Sequence, residues 1–161
     1  MLITRKESYV VGISAITTNA AEMAGGDGAK IPGLWQSFLA ENIAAQIPNR
    51  VSQPGTPHTA VLYTDIETDE TGPYRIIIGA LVKDLGAIPE GMTGRAVPAG
   101  DFEAITSRRG PLVEVTVEAW QKIWADSALK QRRSYAGDLE LYDERSADPH
   151  NAELDILIGV K

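Results

Sequence analysis

Ile76-Ile77-Ile78-Gly79 and Ile156-Leu157-Ile158-Gly159 are the same phrase written twice, and the fold follows from that repetition. Each is an aliphatic run closed by glycine, the composition of a strand buried on both faces. Working outward from the pair, three more blocks recur in the same order. Ala15-Ile16-Thr17-Thr18 returns as Ala104-Ile105-Thr106-Ser107. The stretch from Leu34 to Glu41 returns from Ala119 to Asp126, with Trp35-Gln36 matched by Trp120-Gln121. Leu62-Tyr63-Thr64-Asp65 is answered by Glu140-Leu141-Tyr142-Asp143. Four matches in one order, spaced about 80 to 90 residues apart, point to two copies of one supersecondary unit. Two such units meet along a pseudo-twofold seam, the kind of cleft in which small molecules bind.

The first unit covers about residues 1–84 and the second about 95–161 of a single domain spanning 1–161. In the first, Ser8 to Thr18 reads as a strand. Pro32 opens a helix whose Trp35, Phe38, Leu39, Ile43 and Ile47 share one stripe. Strands follow over Thr59–Glu67 and Tyr74–Val82, around the turn Asp69-Glu70-Thr71-Gly72-Pro73. Leu85 to Ala99 reads as the connector. The second unit repeats the plan: a strand over Gly100–Ser107, a helix from Pro111 to about Ala128, and strands over Asp138–Glu144 and Glu153–Lys161. The expected fold is α+β: two pseudo-symmetric β-α-β-β units, antiparallel strands forming a concave sheet surface, and one long helix per unit.

Composition narrows the function. The chain has 161 residues, 43% of them hydrophobic and 23% charged, enough for one core and a solvated surface. No run approaches the roughly 20 apolar residues of a membrane span. With no cysteine there is no disulfide framework and no thiolate nucleophile. No signal-peptide pattern follows Met1, and a cytoplasmic location is expected. A net charge of −7 argues against direct nucleic-acid binding and favours cationic partners. His58 and His150 lack the spacing of a metal motif, and Ala24-Gly25-Gly26-Asp27-Gly28 lacks the Lys-Ser/Thr of a phosphate loop. No Gly-x-Ser-x-Gly elbow is present. Neither metal nor cofactor is therefore expected, and the apolar stripes suit internal packing in a monomer.

Strand parity then selects site residues. Leu139 and Leu141 share one face, assigned to packing under the helix, so Glu140 and Tyr142 look into the seam. The matching places in the first unit hold Leu62 and Thr64, which leaves the acid on one side only. The ordinary alternative for Glu140 is an exposed strand residue paired with a nearby Lys or Arg. Trp35 and Trp120 hold equivalent helix positions and serve either as core or as cleft wall. Tyr63, Phe102 and Tyr135 are further wall candidates, and Glu153 and Asp155 are weaker acidic ones.

Carried by Ile31-Pro32-Gly33-Leu34-Trp35-Gln36, Tyr63-Thr64-Asp65-Ile66-Glu67-Thr68-Asp69-Glu70-Thr71-Gly72-Pro73-Tyr74, Ile88-Pro89-Glu90-Gly91, Val97-Pro98-Ala99-Gly100-Asp101-Phe102 and Gly137-Asp138-Leu139-Glu140-Leu141-Tyr142-Asp143, the chain resembles the GyrI-like family, the AraC-type effector-binding domain of bacterial transcription activators. The resemblance covers nearly the whole chain. It implies a concave surface that binds lipophilic, often cationic, small molecules, with the acid of the Leu139-Glu140-Leu141-Tyr142 passage in the pocket. Leu139 stands where relatives carry an aromatic, and Ile66 where many carry Tyr. Some members are fused to DNA-binding helices, for which this chain leaves no room before its first strand. The resemblance thus implies a stand-alone binding protein acting in sensing or sequestration. The alternative, from a few family members, is a hydrolase of reactive cyclopropane-type compounds, with Glu140 as general base and Tyr142 positioning or protonating the substrate. A protein-binding role, such as the gyrase inhibition reported for a relative, is a third possibility.

Overall fold

The structure, a computed structural model, describes all residues Met1–Lys161. Eight antiparallel strands make one sheet: β1 (Leu2–Arg5), β2 (Ser8–Thr17), β3 (Thr59–Thr64), β4 (Tyr74–Val82), β5 (Thr93–Val97), β6 (Gly100–Thr106), β7 (Arg133–Tyr142) and β8 (Asp155–Val160). The helices are α1 (Asn19–Ala24), α2 (Ile31–Ala40), α3 (Ile43–Gln46), α4 (Leu112–Ala125) and α5 (Ser127–Arg132). The sheet order is β1-β6-β8-β7-β3-β4-β2-β5. Exchanging β1 with β5, β2 with β6, β3 with β7 and β4 with β8 reproduces that order in reverse, so the sheet is a palindrome about the β3·β7 pair. The two short strands are swapped: β1 precedes β2 in the chain but pairs with β6, and β5 precedes β6 but pairs with β2. The segment read as a plain connector therefore carries an edge strand, and so does the N-terminus.

Each predicted long helix is broken into two. In the first unit Asn42, with φ 50°, ends the helical run between α2 and α3. In the second, Asp126 leaves α4 and caps α5, accepting from the Leu129 N–H at 3.0 Å. The α2 N-terminus has a cap borrowed from α1. The Glu22 carboxylate accepts from the backbone N–H of Lys30 at 2.8 Å and of Ile31 at 3.0 Å, which satisfies two orphan donors and opposes the helix dipole.

Two cores lie on opposite faces of the sheet. Phe38 of α2, Ile43 of α3 and Val115, Ala119, Trp120 and Ile123 of α4 pack on Val61, Ile76, Ile78, Tyr142, Ile156 and Ile158. The other core holds Val10, Leu62, Ile77, Phe102, Leu139, Leu141 and Leu157, and no helix contributes to it. All ten of its buried residues lie on strands. This corrects the parity assignment: the helices cover the Glu140 face, whereas Leu139 and Leu141 face the other way. That face offers only apolar contacts, which suits leucines; a carboxylate needs donors, and Tyr63, Trp120 and Tyr142 supply them on the helix side.

The ladder also corrects the internal alignment. Ile76 pairs with Tyr63, and the equivalent Ile156 pairs with Glu140. The counterpart of Glu140 is thus Tyr63, one residue beyond the Leu62 suggested by sequence matching. A slip of one residue exchanges the faces, so the distinction decides what the cleft contains.

Candidate functional site

Between the two long helices and the sheet lies a cavity of about 770 Å³. Its apolar wall is aromatic: Trp35 from α2, Trp120 and Trp124 from α4, Tyr63 from β3, Tyr74 from β4 and Tyr142 from β7. The rings hold one another edge to face, with centroids 5.5 Å apart for Trp35 and Tyr142 and 5.1 Å apart for Tyr63 and Trp120. Met23, Leu39, Val113 and Val117 also line it and are exposed, forming an apolar rim.

Glu140 stands among these rings and is only 2% exposed. Three aromatic donors converge on it. The Tyr63 hydroxyl donates to Oε2 at 2.7 Å, the Trp120 Nε1–H to Oε2 at 2.6 Å, and the Tyr142 hydroxyl to Oε1 at 2.6 Å. No Lys, Arg or His forms an ion pair with this carboxylate, unlike the buried Asp138, which accepts from Arg133 at 2.7 Å. Burial raises the Asp138 pKa against the pull of that guanidinium. Burial first, then the neighbouring Glu140 charge, holds the phenols of Tyr63 and Tyr142 far above the ordinary tyrosine range. Both hydroxyls thus remain donors at neutral pH, directed at Glu140. Hydrogen bonds to a charged acceptor polarise the donor, so each ring carries more electron density on its faces than it otherwise would.

Residues 1–160 match the family described as Cass2, integron-associated effector binding protein. The protein belongs to that family. Small-molecule binding is what this membership establishes. Among solved structures, the integron cassette protein VCH_CASS2 from Vibrio cholerae is 26% identical over 100% of this chain and 95% of its own, with a TM-score of 0.75. A structure of SAV2435 bound to tetraphenylphosphonium superposes over 100% of this chain and 93% of that one, with a TM-score of 0.79 and 15% identity, a likeness of fold. Among curated relatives, the putative transcriptional regulator protein YobU of Bacillus subtilis is 29% identical over 151 residues, 93% of this chain and 90% of YobU.

In this effector-binding protein the expected site residues Glu140, Tyr142, Trp120, Tyr63 and Trp35 all line the one cavity. Phe102 does not. It pairs with Gly159 on the face of Leu157 and is buried in the opposite core, because parity on β6 turns it away from the helices. Tyr135 lines the cavity, its hydroxyl donating to Glu70. Glu153 and Asp155 lie outside it, both paired with Arg145. His58 lines it too, with its ring nitrogens 2.9 Å from Thr59 Oγ1 and 3.1 Å from the Asp143 carbonyl. Sequence reasoning did not single out Trp124 or Tyr74 for the wall. The signal for Trp124 was its position four residues after Trp120, one helical turn along the same face. For Tyr74 it was the two-residue alternation with Ile76 and Ile78 along β4.

Proposed function

We propose that this protein captures lipophilic aromatic cations, in a sensing or sequestering role. The observation that carries the reading is a buried carboxylate with no cationic partner, held by three aromatic donors in an aromatic cavity. A charge of that kind is costly to bury alone, and a mobile cation is what offsets it. At roughly 6 Å and an effective dielectric of about 20, the attraction is about 3 kcal/mol. Each cation–π contact adds about 0.5–2 kcal/mol. Delocalised, weakly hydrated cations lose least on entering such a site, so they are preferred over compact ammonium ions. Because the carboxylate lies behind the rings, it acts as a field and does not form a directional contact, which suits broad specificity. Its oxygens are already occupied by the chain's own donors, an arrangement better fitted to holding charge than to activating a water.

Tetraphenylphosphonium, the ligand of the SAV2435 structure, is a suitable probe. All three tryptophans of the chain line the cavity, so intrinsic fluorescence reports on its occupancy. Titration is expected to show saturable quenching, at least tenfold tighter than for the neutral triphenylphosphine oxide. Equal affinity for the two would overturn the reading.

A further inference from the structure

A second pocket, of about 440 Å³, lies between the β1–β2 turn and the loop of residues 51–57. Arg5, Lys6, Glu7 and Ser8 line it, together with Val51 and Leu81. We propose that it is an oxyanion site, taking the carboxylate or phosphate group of a small molecule, with Arg5 as its principal donor.

Unsatisfied chemistry is concentrated there. Of three buried side-chain polar atoms without a hydrogen-bond partner, two are Arg5 Nε and Ser8 Oγ. The Arg5 guanidinium has no acceptor anywhere in the chain, and its partial burial without a counter-charge lowers its pKa. With Nε shielded, the two Nη groups remain reachable by solvent, the fork that matches a carboxylate or phosphate edge. Native proteins seldom leave such donors without partners, and an acceptor from outside the chain satisfies them.

Charge segregation supports the same assignment independently. Of the chain's 15 Lys and Arg, nine stand in ion pairs: Arg75, Arg95, Arg108, Arg109, Lys122, Lys130, Arg132, Arg133 and Arg145. Four of the other six gather at this end of the molecule. Arg5 and Lys6 line the pocket, while Arg50 and Lys83 adjoin its Val51 and Val82. Two acids stand beside these four cations and leave them in surplus: Glu7, in the pocket lining, accepts from the Tyr9 hydroxyl at 2.6 Å, and Asp84 accepts from the Gly86 N–H at 2.9 Å. In a chain of net charge −7, a local surplus of free cations beside orphaned donors is the signature of an anion site.

Titrating the whole protein with inorganic phosphate, phenyl phosphate, acetate and benzoate tests this, followed through the Arg5 Nε–Hε resonance at constant ionic strength, with chloride as control. Saturable shifts are expected, with half-saturation below about 10 mM for at least one oxyanion. The phosphate and carboxylate arms show which group the site prefers. Arg5→Gln is expected to weaken that binding at least tenfold and Ser8→Ala severalfold, while tetraphenylphosphonium quenching is unchanged. A response no different from that to chloride would refute the site, as would undiminished affinity in Arg5→Gln. Should Arg5→Gln fail to fold in a thermal melt, Ser8→Ala and Lys6→Gln decide: weakened binding in either supports the site, and wild-type affinity in both removes it.

Discussion

Glu140→Gln keeps the shape of the side chain and removes its charge, which separates field from fit. Cation affinity is expected to fall by about 10- to 100-fold, or roughly 1.4–3 kcal/mol, with little change for a neutral aromatic of the same size. Trp120→Phe keeps a ring in the wall but deletes the donor at 2.6 Å from Oε2. A hydrogen bond to a charged group contributes about 1.5–3 kcal/mol, and chemical denaturation is expected to show a loss of that size. The tyrosines give a pH prediction of definite sign. The folded-state pKa values of Tyr63 and Tyr142 lie well above the ordinary tyrosine value of 10.0, burial being the main cause. The stabilisation is complete below about pH 10, where the unfolded chain also keeps its phenols protonated, and is lost as pH rises through the folded values. Ultraviolet titration is expected to show these two phenolates forming only together with unfolding; their smooth ionisation near pH 10 in the folded protein would contradict the burial. At this scale two-residue alternation placed Glu140 and Tyr142 on one shared face, but assigned the helices to the opposite one. Phe102 was misread because hydrophobicity alone does not reveal which face of a strand looks outward.

Strands were easier to read than helix boundaries. The aliphatic runs of β4 and β8 announce themselves, while the breaks between α2 and α3 and between α4 and α5 depend on single residues, Asn42 and Asp126, that interrupt an otherwise continuous stripe. The short edge strands β1 and β5 were invisible because four or five residues of mixed polarity carry no period. One element-level contact yields a quantitative test. At the β2·β4 crossing Gly12 pairs with Gly79, and a Cβ on Gly79 would run into the Val11 carbonyl. Its counterpart Gly159 pairs with Phe102, and there the nearest atoms to such a Cβ are the Gly137 carbonyl at 2.8 Å and Ser134 Oγ at 2.9 Å, beside the irregular start of β7. Gly79→Ala is expected to cost about 3 kcal/mol or more in urea unfolding, and Gly159→Ala distinctly less, because the β7 bulge yields more readily than two paired strands. Equal losses would mean that the two halves are equally tight.

Duplication explains the site as a property of the whole molecule. A palindromic sheet places equivalent positions of β3 and β7 side by side at the seam, where Tyr63 and Glu140 are counterparts that have diverged into donor and acceptor. Both halves then furnish one cavity: Trp35, Tyr63 and Tyr74 from the first, Trp120, Trp124, Glu140 and Tyr142 from the second. A ligand seated there touches both units, so its binding energy is coupled to unfolding of the entire chain and not to one lobe. At a free concentration of 100 times its dissociation constant, a ligand that binds only the folded state stabilises it by about 2.7 kcal/mol. For a chain of this length that corresponds to a rise of about 5–10 °C in Tm. Tetraphenylphosphonium is expected to produce such a rise in a single cooperative transition followed by both tryptophan fluorescence and far-ultraviolet circular dichroism. In Glu140→Gln at the same ligand concentration, the rise is expected to shrink to about 1–5 °C, as a 10- to 100-fold weaker affinity dictates. If instead the fluorescence transition moved and the circular-dichroism transition did not, the lobes would unfold separately and the cavity would not be shared between them.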